Sequence, residues 1–348
     1  MSQALKWGII GTGNIAHTFA KGLQVAKKGD LVAVGSRAEA TAVKFGSQYG
    51  VPKENCYSSY ADLLKDPNVD VVYISTPHPQ HCEVAIQCAK AGKHMLVEKP
   101  FAMNETEAKR IIAAVKEHNV FMMEAYMYRM HPQTLKVVEL VKDCKVGTVK
   151  VIRANFSFDG VPLGPTSRLW QNELGGGAIL DIGGYPMSFC RLIAGAAQNT
   201  GPIDPVQVKA VGHVQPDTKV DEWSVASVAF ENNISAQLFT GVFADTETYV
   251  QVIGDKGSIR VQNLWRPDIP AMGPVRVEYK EFGKESVDVP LDIPQPNLYA
   301  IEADAVADAI FAGEKECKYM TWEDSMGQVR AMDQWRKEIG LTYPADNV

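Results

Sequence analysis

Residues 7–16, "WGIIGTGNIA", decide how the rest of the chain is read. The segment opens as an apolar run suited to a strand buried on both faces, then breaks at Gly11-Thr12-Gly13 before a helical pattern begins. Gly11 permits a tight turn, Gly13 lets backbone approach a bound pyrophosphate, and the small Ala16 allows helix and strand to pack closely. Amides at a helix start favour phosphate. A glycine-rich turn without a ligand is the plainer reading of such a pattern in isolation. Its place on the first strand of an alternating chain favours a dinucleotide site built from Gly11, Thr12, Gly13, Asn14 and Ile15.

Further apolar runs at 31–36, 69–76, 94–98 and 120–125 are expected to join 5–10 as buried strands. Helical patterns at 14–27, 38–49, 79–91 and 104–118 separate them. Strand and helix in alternation imply a parallel sheet with helices on both faces. After residue 125 the pattern changes. A helix is expected over 131–143, followed by "VKVIRANFSF" (149–158), which alternates faces as a half-exposed antiparallel strand does. A Gly-rich loop and helix (175–194) follow, then strands near 206–213, 222–231, 234–241, 248–254, 257–261 and 275–281. Helices at 298–312 and 321–338 close the chain, which shows no repeat. The expected fold class is α/β: a doubly wound parallel sheet (1–125) followed by an α+β domain (126–348).

Composition narrows the partners. With 348 residues, the chain exceeds one ordinary core. A formal net charge of −6, with lysines and arginines dispersed, offers no basic field for nucleic acid or an anionic membrane. No apolar run approaches the roughly 20 residues that span a bilayer. The six cysteines are scattered without a CxxC pair, which suits free thiols in a reducing compartment, so a cytoplasmic protein with a small-molecule ligand is expected.

The second strand selects the cofactor. NAD sites commonly end this strand in Asp or Glu, which bonds the ribose 2′-hydroxyl. Here it ends Gly35-Ser36-Arg37, with a hydroxyl and a guanidinium suited to a 2′-phosphate, so NADP is expected. The plainer role for Arg37 is stacking on adenine. "STPHPQH" (75–81) follows the third long strand and places Thr76, Pro77, His78 and His81 at the ligand-binding edge. The two histidines lack a third ligand at useful spacing, so no metal is expected.

"HMLVEKPFA" (94–102) delivers Glu98 and Lys99 to that same edge. A solvated Glu-Lys pair is the ordinary fate of such residues. A second cluster, "ELGGGAILDIGGYPMSF" (173–189), raises the functional reading. Its glycines permit close backbone approach, and Asp181 and Tyr185, four apart, would share one helical face. An acid, a phenol and a lysine form a proton-transfer set around a nicotinamide.

Taken in order, the G-x-G-x-x-A turn, "EKP", the segment Tyr128, Arg129, His131, Pro132, and "GGGAILDIGGYP" resemble the glucose-fructose oxidoreductase, inositol dehydrogenase and rhizopine catabolism family, Gfo/Idh/MocA. The resemblance covers almost the whole chain. It implies a Rossmann domain, then a domain with a large, mainly antiparallel open sheet through which copies form homo-oligomers. It also implies a cis Lys99-Pro100 bond, and active-site roles for Lys99 and Asp181. Inositol-dehydrogenase-like members carry histidine where Tyr185 stands. Tyrosine resembles the branch with glucose-fructose oxidoreductase and the NADP-dependent dihydrodiol and D-xylose dehydrogenases.

The expected reaction is hydride transfer between NADP and a sugar, either an aldose or a related polyol. Tyr185 or Lys99 handles the proton, and Asp181 holds a substrate hydroxyl or orients Lys99. Arg129, His131, Arg168 and Trp170 are further candidates for the polyol pocket, each with core packing or an interface as the alternative. The resemblance leaves room for a sugar:sugar oxidoreductase that retains NADP, for a redox-assisted glycosidase, and for a non-catalytic NADP-binding regulator.

Overall fold

The computed structural model describes residues 4–347. The chain divides into two units. The first runs to Ala102 and adds Thr106–Met130 and Gln295–Ser325; the second comprises Met103–Glu105, His131–Pro294 and the chain from Met326 onward.

In the first unit the chain alternates as expected: β1 (Leu5–Ile10), α1 (Asn14–Leu23), β2 (Gly29–Gly35), α2 (Glu39–Tyr49), β3 (Cys56–Tyr57), α3 (Tyr60–Lys65), β4 (Val71–Ile74), α4 (His81–Lys90), β5 (His94–Glu98), α5 (Glu105–Glu117) and β6 (Met122–Ala125). The six strands form one parallel sheet in the order β3-β2-β1-β4-β5-β6. The order reverses between β1 and β4, which is the switch point of a doubly wound sheet, beside the Gly-rich turn. Trp7, Ile9, Val72, Tyr73, Met95 and Leu96 are fully buried, as strands covered on both faces require. The short β3 and α3 were not expected. Two residues are too few to show a period.

The second unit opens with α6 (Pro132–Lys142) and β7 (Val149–Ser157), continues through a five-residue π-helical turn at Ile179–Gly183 into α7 (Gly184–Ala196), and then runs through strands. These are β8 (Gln207–Val214), β9 (Asp221–Ala229), β10 (Ser235–Gly241), β11 (Tyr249–Gly254), β12 (Gly257–Gln262), β13 (Val277–Glu281) and β14 (Val287–Val289). They form one open sheet ordered β14-β13-β12-β11-β7-β10-β9-β8. Every pairing is antiparallel except β7 with β10, which is parallel. The strand at 149–158, expected to be antiparallel, is therefore antiparallel to β11 only. Alternation reports that one face is buried; it is silent about neighbour direction. Along β9 and β10 the inward set Ser224, Ala226, Val228, Ala236, Leu238 and Thr240 is buried, while Val225 on the other face is exposed.

Two helices close the chain, α8 (Leu298–Phe311) and α9 (Trp322–Glu338). The first unit extends past 125 to Met130 and takes α8 back from the C-terminal part. The cause is local: a Cβ on Gly22 of α1 would stand 2.5 Å from the Tyr299 Cβ of α8, so the helices meet closely at a glycine. All six cysteines are free, five of them buried. Among the described residues no helix is long and apolar enough to cross a membrane.

Candidate active site

The glycine turn of the first unit is shaped by its own neighbours on one side and open on the other. Gly11 has φ +97°, and a Cβ there would lie 2.8 Å from the Ser75 carbonyl oxygen. Only glycine fits both the angle and the space. At Gly13 an added Cβ would meet nothing within 4 Å, which leaves room for a bound group. Gly13 caps α1 without a side-chain hydrogen bond, and the first turn carries no acid. Asn14, half-exposed Ile15 and half-exposed Thr12 thus border a helix start whose amides are uncovered by side chains, which is what a phosphate needs.

Ser36 is buried and Arg37 exposed at the end of β2, with no carboxylate between them. The Arg37 charge also reaches the half-buried phenol of Tyr60, which burial pushes up and Arg37 pulls down. Sequence reasoning passed over Tyr60, because α3 was not foreseen. At the end of β4 the Thr76 hydroxyl oxygen is buried with no hydrogen-bond partner among the described residues. The open face at Gly13, the uncapped helix and this hydroxyl fit a dinucleotide.

Pro77 and buried His78 follow Thr76. His81 is fully buried, with Nδ1 2.8 Å from the Pro100 carbonyl and Nε2 2.9 Å from the Thr76 carbonyl. It clasps the Thr76 turn to the Lys99-Pro100 turn. Among the described residues no group of three or more His, Cys, Asp or Glu is placed to hold a metal.

The Lys99-Pro100 bond is cis, as the resemblance implied. Lys99 is half-exposed, whereas Glu98 is buried. Glu98 accepts from the Tyr73 hydroxyl and, at 3.1 Å, from the Lys99 amide. Close by, Glu302 of α8 is fully buried and neither of its carboxyl oxygens has a hydrogen-bond partner among the described residues. Burial, then the Glu98 charge, holds its carboxyl well above the usual range. Arg129 lies in a buried ion pair with Asp324, and its Nε donates to the Tyr319 carbonyl at 3.2 Å. Arg129, Tyr319 and Asp324 all belong to the first unit.

In the second unit, His131 caps α6. Its Nδ1 accepts from the Gln133 amide at 3.3 Å, and the ring is 1% exposed. Burial pushes its pKa down to about 4 against the opposing Asp268 charge, so the ring is neutral near pH 7, as an accepting cap requires. Arg168 and Asp181, both sequence candidates, are brought together: the guanidinium donates to Oδ1 of Asp181 at 2.6 Å. Trp170 ends the same short turn, half-buried.

The three glycines explain the meeting of Arg168 with Asp181. A Cβ on Gly176 would stand 2.5 Å from the Leu169 carbonyl and 2.6 Å from that of Arg168, and the Gly177 amide donates to Leu169 at 2.8 Å. The close approach those glycines permit is thus to the chain's own 168–170 turn. The run carrying Asp181 is π-helical rather than the expected α-helix, and it passes into α7 just before Tyr185. Such turns recur at functional sites. Tyr185 is 5% exposed, its ring edge-on to Phe156 at 5.3 Å and 5.8 Å from Trp265. Asp221, at the head of β9, also touches this turn. Sequence reasoning missed it, since "VDEW" reads only as a strand start 44 residues after Gly177.

Comparison with known proteins extends this picture. Residues 5–126 match an oxidoreductase family model described as an NAD-binding Rossmann fold, and 134–260 match the Gfo/Idh/MocA C-terminal domain. Trans-1,2-dihydrobenzene-1,2-diol dehydrogenase of Danio rerio is 34% identical over 99% of this chain and 100% of its own. The Homo sapiens protein of that name is 30% identical, covering 99% of both chains. A 3-ketoreductase from Actinomadura kijaniata, crystallised with NADP and TDP-benzene, superposes with TM-score 0.84 at 26% identity over 97% of this chain and 98% of its own. Aldose-aldose oxidoreductase from Caulobacter crescentus shares the fold, with TM-score 0.85 at 22% identity over 97% of each chain.

Proposed function

Because the chain belongs to the Gfo/Idh/MocA family and is an oxidoreductase with an NAD(P)-binding Rossmann fold, we propose that it uses NADP to oxidise or reduce one CH–OH carbon of a vicinal diol, the substrate being an aldose, a related polyol or a dihydrodiol. The observation that carries the reading is Ser36-Arg37 closing β2 with no carboxylate, beside the open Gly13 turn. Relatives named dihydrodiol dehydrogenases over the full chain length support the diol, and the sequence-based expectation of a sugar stands within the same chemistry.

NADP, when bound, supplies the hydride acceptor or donor. The chain's own residues do the rest. Amides at the start of α1 take the pyrophosphate, and Arg37 with Ser36 takes the 2′-phosphate. Thr76, Pro77, His78 and Glu98 line the nicotinamide side, with His81 fixing the backbone there. Asp181, its second partner being Arg168, accepts from a substrate hydroxyl. Trp170 offers an indole face to C–H surface.

Tyr185 exchanges the hydroxyl proton, as acceptor in oxidation and donor in reduction. A tyrosine titrates near 10, so a phenolate at pH 7 needs about 4 kcal/mol of preferential stabilisation. Burial works against it, so positive charge must supply it. Lys99 is the second candidate for the base. Copies of the chain associate through the outer face of the large sheet, where Val211 and Val225 are exposed.

A panel of aldoses, polyols and trans-dihydrodiols, assayed with NADP and NAD in parallel at 340 nm, tests the reading. NADP should be preferred, and Tyr185→Phe or Lys99→Met should lower kcat/KM by about 10²-fold or more. Strong preference for NAD, or full turnover in both variants, overturns it. Turnover only when a second sugar is present as acceptor would identify the sugar:sugar reaction instead.

A further inference from the structure

The π-helical turn that carries Asp181 is held from the sheet at two adjacent residues. Thr240 of β10 donates its hydroxyl hydrogen to the Ala178 carbonyl at 3.3 Å. From the neighbouring strand, Oδ2 of Asp221 accepts from the Ile179 amide at 2.8 Å. Oδ1 of Asp221 lies against Gly177, which has φ +100°, and a Cβ there would stand 2.1 Å from that oxygen. The Asp221 side chain is wholly buried. We propose that Asp221 is a positioning residue: its carboxyl group sets the glycine turn and the first amides of the π-helical run, and through them the placement of Asp181 and Tyr185.

A buried acid is a costly way to cap a helix start, and Ser, Thr or Asn would satisfy the same amides more cheaply. What Asp221 adds is a fork. One oxygen holds Ile179 while the other occupies the space beside Gly177 that any side chain would need. Strand pairing anchors the fork at the head of β9, where Asp221 pairs with Val214 of β8 beside a shift in register. The turn is closed from its far side by the Tyr343 hydroxyl, which donates to the Gly176 carbonyl at 2.6 Å. The residues that would meet substrate therefore sit on a segment gripped at 176, 177, 178 and 179 before it reaches 181.

The grip consists of one accepted hydrogen bond and one filled space, and neither requires a charge. Burial pushes the Asp221 carboxyl up to about 7, with backbone amides and the Arg336 guanidinium pulling the other way. An amide of the same shape should therefore replace it. Asp221→Asn keeps the acceptor for Ile179, while Asp221→Ala leaves the turn without one.

The proposal rests on the roles given above to Asp181 and Tyr185, so the test pairs a kinetic measurement with a structural one. On the full chain, hydrogen exchange of residues 177–185 is followed by mass spectrometry, together with kcat, KM and the Kd for NADPH. Asp221→Ala should speed exchange of 177–185 about tenfold or more, with the strands of its sheet unchanged. Its kcat should fall about 10²-fold, as expected when reacting groups shift by about 1 Å, with NADPH binding within about twofold. Asp221→Asn should stay within about threefold in each quantity. Wild-type exchange at 177–185 in Asp221→Ala overturns the proposal. So does exchange that rises equally throughout the second unit, or a kcat within about threefold of wild type while the turn loosens. If Asp221→Ala does not fold, Asp221→Glu answers the question. Its extra methylene pushes the fork into Gly177, and an unchanged kcat would then refute the idea. Should wild type turn over no diol or sugar, the proposed function fails, yet the exchange measurement still decides whether Asp221 holds the turn.

Discussion

Arg129 offers a decisive measurement, because substrate contact and core ion pair predict different losses on its removal. Its side chain is 1% exposed and that of its partner Asp324 is 2% exposed. Burial alone would pull the guanidinium down, but the Asp324 carboxylate, with the Tyr128 and Tyr126 phenols, holds it above its ordinary value. Arg129→Met removes one member of a buried ion pair, which costs about 3–5 kcal/mol. In a unit of this size each kcal/mol lowers the midpoint by about 2–4 °C, so the melting temperature should fall by about 6–20 °C. The Tyr319 carbonyl also loses its 3.2 Å donor, which places the expected loss toward the upper part of that range. Replacing both partners, Arg129→Met with Asp324→Leu, removes both buried charges and should recover most of the loss. Thermal melts of the two variants beside wild type, with KM for the best substrate, form the assay. A melting temperature within about 2 °C of wild type, joined to a large rise in KM, would refute the structural assignment and return Arg129 to the substrate pocket.

Two further outcomes follow from the first unit. The Glu302 carboxyl is raised when folded, so native protein binds its proton more tightly than the unfolded chain does. Its stabilising contribution is complete below the ordinary carboxylate value and is lost as pH rises through the raised one. Glu302→Gln should accordingly flatten the fall in melting temperature between pH 5 and pH 9, and equal slopes in variant and wild type would refute this. Arg37→Ala should weaken NADPH about 10- to 100-fold, the worth of a charge-assisted bond of about 1.5–3 kcal/mol, and leave NADH nearly unchanged. Ser36→Asp should invert the preference; fluorescence titration with both cofactors checks the pair.

Much of this protein is legible in the chain itself. Continuous apolar runs and glycine spacing specify the parallel sheet and its phosphate turn, because strands buried on two faces tolerate little else and only glycine fits φ +97° against Ser75. Alternation marked the strands of the second sheet, although not the parallel pairing of β7 with β10, since burial of one face constrains side chains and leaves neighbour direction free. Local motifs also marked Lys99, Asp181 and Tyr185 as candidates. What each candidate touches was decided only by tertiary structure. Arg129 closes an ion pair with a residue 195 positions away, and His131 turns inward as a neutral cap. His81 clasps two backbone carbonyls, while Arg168 finds Asp181 because Gly176 lets their turns meet. Asp221 carried no signal at all, because a single buried acid at a strand start acquires meaning only when folding brings it to an amide 42 residues away. Periodicity and turn chemistry are properties of neighbouring residues and can be read in sequence, whereas the partner of a polar side chain is set by long-range packing.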